Sequence, residues 1–125
     1  AKAEAVAADT KASAAPFDEA SRAGTYDVVV NATTIGQKDQ GPASTASPVP
    51  ADALRAGLVV MDIVYKPVHT PLLDVAADRG AVTVHGGRML LHQAGAQFEL
   101  YTGARAPLEA MNAALRAALE PAARP

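Results

Sequence analysis

The stretch YDVVVNA, residues 26–32, decides the fold because it is a continuous run of β-branched residues that stops at polar ones. Such unbroken apolar runs are typical of parallel strands that are covered on both faces. A second run of the same kind, LVVMDIVY, occupies residues 58–65, and a shorter one, AVTV, occupies residues 81–84. Because helical patterns separate the three runs, the sequence predicts an α/β fold built on a parallel sheet.

Helices are predicted before, between and after these strands. The clearest start signal is Thr70-Pro71, which supplies a capping hydroxyl and a proline at the first helical position; this helix is expected to run to Arg79 and end at Gly80. Residues 37–50 are rich in Gly, Pro, Ser and Thr and are predicted to form a mobile surface loop, with a linker between domains as the alternative. The other predicted helices are residues 1–9, 51–57, 86–103 and 108–119, the last with an apolar stripe at Leu108, Met111, Leu115 and Leu119.

The composition argues against several classes of protein. At 125 residues the chain corresponds to one domain, and its 50% hydrophobic but only 4% aromatic content predicts a core of Ala, Val and Leu. The formal net charge of -2 provides no basic patch for nucleic acid or an anionic membrane. Cysteine is absent, and no apolar run approaches the roughly 20 residues that span a bilayer. A cytoplasmic location is therefore expected.

Polar side chains at the strand ends are the first candidates for a binding site, since ligands of open parallel sheets bind beyond the carboxyl ends of the strands. Asn31 could give its amide to a ribose or a ring, or it could end its strand by bonding to loop backbone groups. Tyr65 could present its hydroxyl to a ligand or lie at the rim as an amphipathic residue. Asp62 is predicted to bond loop amides or a helix end, because an unpaired buried carboxylate is costly.

Two kinds of catalytic site lack a sequence signal. The histidines, His69, His85 and His92, have neither helical i,i+4 spacing from one another nor a carboxylate at an established ligand spacing, so no metal site is predicted. No serine lies in a G-x-S-x-G motif, which argues against a hydrolase built on a nucleophile elbow.

The helix predicted at residues 86–103 carries two glycines at its start and a glutamine in its middle. Gly86 and Gly87 would let the backbone approach a ligand that a Cβ would obstruct, or they would form a tight turn. Gln93 lies on the same side as Met89, either as a ligand contact or as a half-exposed polar residue. A neighbouring apolar face consists of Leu90, Ala94, Phe98 and Tyr101.

Four blocks of residues follow one another in a specific order. The first is DVVVNAT (27–33) with Gly36, the second is DIVY (62–65) with Pro67, and the third is TPLL (70–73). The last comprises Gly86, Met89-Leu90, Gln93, Phe98-Glu99 and Thr102-Gly103. Together these blocks resemble the C-terminal half of the shikimate dehydrogenase family, and the last block is the most specific.

This resemblance implies a partial, doubly wound Rossmann-like parallel sheet with C-terminal helices. Residues 1–125 would form the C-terminal portion of an NADP-binding domain, with the family's C-terminal helices at about residues 86–120. The sequence lacks the family's glycine-rich phosphate loop, its Asn-Arg-Thr motif, its substrate domain with the catalytic Lys and Asp, and an initiator Met. The chain is therefore expected to be a piece of a longer polypeptide that is inactive alone and exposes apolar surface.

The function implied by the resemblance is an NADP-dependent oxidoreductase that reversibly reduces 3-dehydroshikimate to shikimate, on the pathway to chorismate and the aromatic amino acids. A homodimer is an option for the full-length enzyme. By the family's pattern, no catalytic residue lies in this chain. Its expected cofactor contacts are Asn31, Thr33, Ile63, Gly86 and Met89, and its expected substrate contacts are Tyr65 and Gln93.

Some residues depart from the family's pattern. His85 stands where the family commonly has Asp, Lys66 stands where Asn is frequent, and Arg88 adds a cation near the nicotinamide. Lys2 falls where a basic residue often lies near the 2′-phosphate. These departures leave open a quinate dehydrogenase-like oxidoreductase with another substrate. The choice between NADP and NAD depends mainly on family residues that this sequence lacks. A non-catalytic nucleotide-binding or partner-binding module is the alternative from another class.

Overall fold

The computed structural model describes residues 2–39 and 41–119. Its described α-helices and strands are α1 (Lys2–Thr10), β1 (Val28–Asn31), β2 (Val59–Asp62), α2 (Pro71–Asp78), β3 (Val82–His85), α3 (Gly86–Thr102) and α4 (Leu108–Leu119). Short 3₁₀ helices span Phe17–Thr25, Gly41–Thr45 and Ala51–Ala53. The predicted segments 1–9, 37–50 and 86–120 each include one residue outside the described ranges. Within those ranges, no helix is long and apolar enough to cross a membrane.

The three strands form one parallel sheet in the order β1-β2-β3. The backbone register aligns Asn31 with Asp62, and Asp62 with His85, so these residues form one row at the carboxyl ends of the strands. The predicted α/β class and its parallel sheet are therefore confirmed. Because β2 ends at Asp62, Tyr65 lies in the segment beyond the strand rather than inside it.

The helix predicted at residues 51–57 is wrong, since only the 3₁₀ turn Ala51–Ala53 forms there. Leu54 adopts an extended backbone with φ −97° and ψ 140°, and its side chain is buried in the core. Gly57 follows with φ 79°. The chain therefore leaves the turn after one cycle in order to place Leu54 under the sheet and enter β2.

The two faces of the sheet differ in burial, because side chains alternate along each strand. The covered face carries Val29 and Val60, and Val60 packs in a core built largely from Leu and Ala residues of the 3₁₀ turns and α2. The open face carries Val28, Val30 and Val82, which are 56%, 51% and 56% exposed. The prediction that the strands are covered on both faces is wrong for the described chain, since the core lies on one side only.

Helix α2 begins as the Thr70-Pro71 signal predicts. The hydroxyl oxygen of Thr70 accepts a hydrogen bond from the backbone N–H of Leu73 at 3.4 Å, and Pro71 occupies the first turn. Leu72, Leu73 and Ala76 are buried, so α2 packs on β2 and β3 through one apolar stripe. Gly80, with φ 74°, lies just past the end of the helix, where a left-handed residue is favoured.

Helices α3 and α4 form a hairpin beside β3. Gly103, at φ 67°, ends α3, and the Glu99 carboxylate accepts a hydrogen bond from the backbone N–H of Ala106 at 3.0 Å. The buried side of α3 is formed by Gly87, Leu91 and Gly95. The neighbouring face that contains Tyr101 is not the packed one, since Tyr101 is 80% exposed. Gly87 and Gly95 let Leu119 and Leu108 of α4 approach α3 closely. Close packing at these glycines, rather than the size of the apolar side chains, therefore decides which side of α3 is buried.

Candidate functional site

A buried carboxylate joins the carboxyl ends of β1 and β2 to the start of α2. Asp62, fully buried, accepts hydrogen bonds from the side-chain amide of Asn31 at 3.0 Å and from the backbone N–H of Val64 at 3.0 Å. Its second oxygen accepts a hydrogen bond from the hydroxyl of Thr70, the α2 cap, at 2.7 Å. Asp62 therefore bonds a loop amide and the residue that caps a helix, as predicted from the sequence.

Asn31 satisfies its own side-chain amide within the protein. Its Nδ2 donates to the carbonyl of Ile35 at 3.1 Å as well as to Asp62, and its Oδ1 accepts from the N–H and the hydroxyl of Thr33 at 3.0 and 2.7 Å. This geometry matches the alternative in which Asn31 ends the strand and bonds the following loop. A cofactor contact by Asn31 stays a prediction, and these hydrogen bonds fix where Thr33 lies.

A cavity of about 520 Å³ opens beyond the carboxyl ends of β1 and β2, beside the first turns of α3. Its volume falls within the range of about 300–1,000 Å³ typical of ligand sites. Five of the seven predicted site residues line this cavity: Thr33, Ile63, Tyr65, Met89 and Gln93. Elements far apart in sequence thus bring the predicted cofactor and substrate residues to one place, as expected for an open parallel sheet.

Two predicted site residues, Asn31 and Gly86, do not line this cavity. Gly86 is buried directly behind the cavity wall, where a Cβ would overlap the carbonyl oxygen of Ile63 and lie 2.7 Å from that of Val64. The close approach that this glycine permits is therefore to the backbone after β2. As a result, α3 begins against the strand end and its first turns face the cavity.

His85 completes the row of strand ends but lacks the hydrogen bonds of its neighbours. Its Nδ1 is buried without a partner among the described residues, and its ring lies 2.9 Å from the position of a Cβ on Gly87. Burial first, and then the positive charges of Arg88 and Arg116 and the nearby His69, lower the pKa of His85 below its ordinary value. Burial and the neighbouring cations therefore favour the neutral form of the ring.

A second, apolar cleft of about 360 Å³ runs along β1, and it was not predicted from the sequence. It is lined by residues of the Phe17–Thr25 helix and of β1, and it meets the larger cavity at Ala32 and Thr33. Sequence reasoning also missed Lys38, which lines the larger cavity although it lies in the predicted loop. The available signal was its position, a few residues after the end of β1 and just past Gly36.

Comparisons with known proteins connect this chain to shikimate dehydrogenases. A family model described as the Shikimate 5'-dehydrogenase C-terminal domain matches residues 86–116. A shikimate dehydrogenase (NADP(+)) of Halorubrum lacusprofundi is 54% identical over 94 residues, covering 75% of this chain and 33% of the relative. The structure of shikimate 5-dehydrogenase from Thermus thermophilus in complex with NADP(H) and shikimate is 32% identical, with a TM-score of 0.80 over 94% of this chain and 42% of that chain. Quinate dehydrogenase from Corynebacterium glutamicum in complex with NAD is 28% identical, with a TM-score of 0.78 over 92% of this chain and 41% of that chain.

The chain spans about a third of the length of the curated relatives it matches. The resemblance predicted from the sequence is confirmed: the chain is similar in sequence and in fold to the C-terminal part of shikimate dehydrogenases. Its three-stranded sheet is accordingly part of a Rossmann-like α/β fold, as predicted. The roles of the individual site residues stay predictions.

Proposed function

We propose that this chain supplies the nicotinamide side of the cofactor site and one wall of the substrate site of an NADP-dependent shikimate dehydrogenase. The reaction is the reversible reduction of 3-dehydroshikimate to shikimate. The observation that carries the proposal is the single cavity in which Thr33, Ile63, Tyr65, Met89 and Gln93 meet. Its support from outside the cavity is the 54% identity to a shikimate dehydrogenase (NADP(+)).

The cavity residues fit the nicotinamide end of such a cofactor. Ile63 and Met89 offer apolar surface for a flat ring, and Thr33 lies at the border with the cleft along β1. When bound, NADPH supplies the hydride that reduces the keto group. Ile63 and Met89 orient the ring and keep water from one of its faces, while Gly86 lets α3 start close enough to bring Met89 to the cavity.

The substrate side of the cavity is formed by Tyr65 and Gln93. Tyr65 is 44% exposed and can donate its hydroxyl to a carboxylate or hydroxyl group of the substrate. Gln93 lies one helical turn beyond Met89 and offers both a donor and an acceptor. These two residues bind and orient the substrate next to the ring, and the resemblance assigns proton transfer to a lysine of the family's N-terminal domain.

The test joins this chain to the preceding part of the Halorubrum lacusprofundi relative and follows NADPH formation with shikimate. Gln93→Ala and Tyr65→Phe are each expected to lower kcat/KM for shikimate about 10-fold, because each removes a hydrogen bond to the substrate. The matched controls are Gln97→Ala, one turn further along α3, and Tyr101→Phe, both exposed and outside the cavity. If the cavity variants behave like these controls, the substrate assignments are wrong.

Quinate is the competing substrate, because the quinate dehydrogenase of Corynebacterium glutamicum has a similar fold. The same assay run with quinate and with NAD distinguishes these readings. A higher kcat/KM for quinate than for shikimate would make quinate the substrate. Turnover with NAD but not with NADP would make NAD the cofactor. Binding of NADP without turnover of either acid would favour a non-catalytic nucleotide-binding module.

The cytoplasmic location expected from the composition and the homodimer implied by the resemblance are further parts of this proposal. Cell fractionation and analytical ultracentrifugation of the polypeptide that carries this chain test the two parts separately.

A further inference from the structure

We infer that Lys38 and Lys66 form a cationic rim that binds the carboxylate of the substrate. The inference rests on the proposed function, because it names the group that a hydroxy-acid substrate would present to this side of the cavity. Neither lysine belongs to the residues predicted to bind the substrate, and Lys66 is a departure from the family's usual Asn.

The fold joins the segments that carry the two lysines. The backbone N–H of Lys38 donates a hydrogen bond to the carbonyl of Lys66 at 3.1 Å, so the loop after β1 is tied to the turn after β2. Both residues line the cavity that contains Tyr65 and Gln93, and both are exposed. One hydrogen bond therefore holds together the two backbone segments that bear these lysines beside the cavity.

The charges of the cavity favour an anionic ligand. Among the described lining residues, Lys38 and Lys66 are the cations and Asp39 is the anion, and the rest are neutral. Neither lysine forms an ion pair or a side-chain hydrogen bond within residues 2–39 and 41–119. Both ammonium groups are thus available to a ligand, and together they outweigh the single carboxylate beside them.

The position of the rim assigns the anion to the substrate rather than to a phosphate of the cofactor. Lys66 directly follows Tyr65, and both residues line the cavity. Ile63 and Met89, which are proposed to hold the ring, are apolar. A carboxylate placed near Tyr65 can accept a hydrogen bond from its hydroxyl and attract both ammonium groups.

The test is an NMR titration of the isotope-labelled joined polypeptide, this chain with the preceding part of the Halorubrum lacusprofundi relative, with shikimate and with its uncharged methyl ester. We expect both ligands to shift the signals of Tyr65 and Gln93. The Kd for the ester should be about 10-fold higher than the Kd for shikimate. Lys38→Gln and Lys66→Gln should each raise Kd for shikimate about 3-fold and leave Kd for the ester unchanged. Added salt should raise Kd for shikimate and leave Kd for the ester unchanged. Lys11→Gln, an equal change of charge outside the cavity, is the matched control.

The outcomes separate this inference from the proposed function. Equal Kd values for acid and ester, unaffected by both lysine variants, would overturn the rim and leave the substrate cavity standing. The same variants are also titrated with NADP. If Lys38→Gln and Lys66→Gln raise Kd for NADP and leave Kd for shikimate unchanged, the lysines bind a phosphate of the cofactor and the inference is overturned. If neither ligand shifts Tyr65 or Gln93, the proposed function fails and the inference fails with it. Amide spectra of the variants show directly that these surface changes preserve the fold.

Discussion

The covered and open faces of the sheet are built from the same kind of side chain and have different surroundings. Val60 on the covered face is fully buried, whereas Val30 on the open face is 51% exposed, although the two lie on paired strands. β-branched composition therefore indicates that a strand suits burial on both faces. How much burial each face receives is decided by the elements that pack against it.

The covered face also holds the polar residues that organise the cavity. Asn31 and Asp62 lie in one row with His85, and the first two are tied to each other and to the cap of α2. The open face has no comparable group among the described strand residues, since its side chains there are Val and Met. The comparison thus separates a face that fixes the site from a face that offers apolar surface.

The largest effect is expected from Asp62→Ala, which removes the acceptor shared by Asn31, Val64 and Thr70. The buried donors left behind should lower the free energy of unfolding by about 3–5 kcal/mol, measured by denaturant unfolding. Asp27→Ala, at an exposed position just before β1, is the control and should change stability by about 0.5 kcal/mol or less. A loss below about 1 kcal/mol at Asp62 would show that the row does not hold the covered face together.

A direct comparison of the two faces comes from Val60→Ala and Val30→Ala. The first leaves a cavity in the core and should cost about 2 kcal/mol of unfolding free energy. The second removes methyl groups that are half exposed already and should cost about 0.5 kcal/mol or less. Similar losses at both positions, measured by denaturant unfolding, would mean that the open face is covered in solution, and sedimentation would then show whether a second copy covers it.

The smallest effect concerns His85 and acid. Because burial and the neighbouring cations lower the pKa of His85, the unfolded chain binds more protons than the folded chain below about pH 6.5. The contribution of His85 to stability is complete above that pH and is lost as pH falls through the folded pKa. Thermal unfolding at pH 7.5 and pH 5.5 should show a smaller drop in Tm for His85→Gln than for the unchanged chain. His92→Gln, at an exposed position, should keep the original drop.

Much of the fold follows from local signals in the sequence. The Thr70-Pro71 cap, Gly80 and the β-branched runs predict α2 and the three strands, because each signal acts within a few residues. The order of the strands in the sheet was not predicted. Local signals did not predict that the helix expected at residues 51–57 stops after Ala53. It stops there because Leu54 turns into the core, which depends on tertiary packing. The coverage of the open face could not be predicted from the strands, because burial depends on residues elsewhere.

The candidate site divides in the same way. The rule that ligands bind at strand ends, together with the family resemblance, predicted five residues that do line one cavity. The same reasoning treated Gly86 as a contact for a ligand, and only the fold shows the carbonyl of Ile63 in that place. Lys38 was missed because residues 37–50 were predicted to form a surface loop, although its position just after the end of β1 was an available signal; the backbone hydrogen bond to Lys66 is a tertiary contact that no local pattern predicts.

The direct junction of β3 with α3 has a consequence for how the cavity can change. His85 ends the strand and Gly86 begins the helix, so no loop residue lies between them. The direction in which each α3 side chain points is therefore set by the end of β3. One inserted residue at this junction would rotate the following turns by about 100° and carry Met89 and Gln93 away from the cavity. Variation in this wall is therefore confined to exchanging side chains at fixed angular positions.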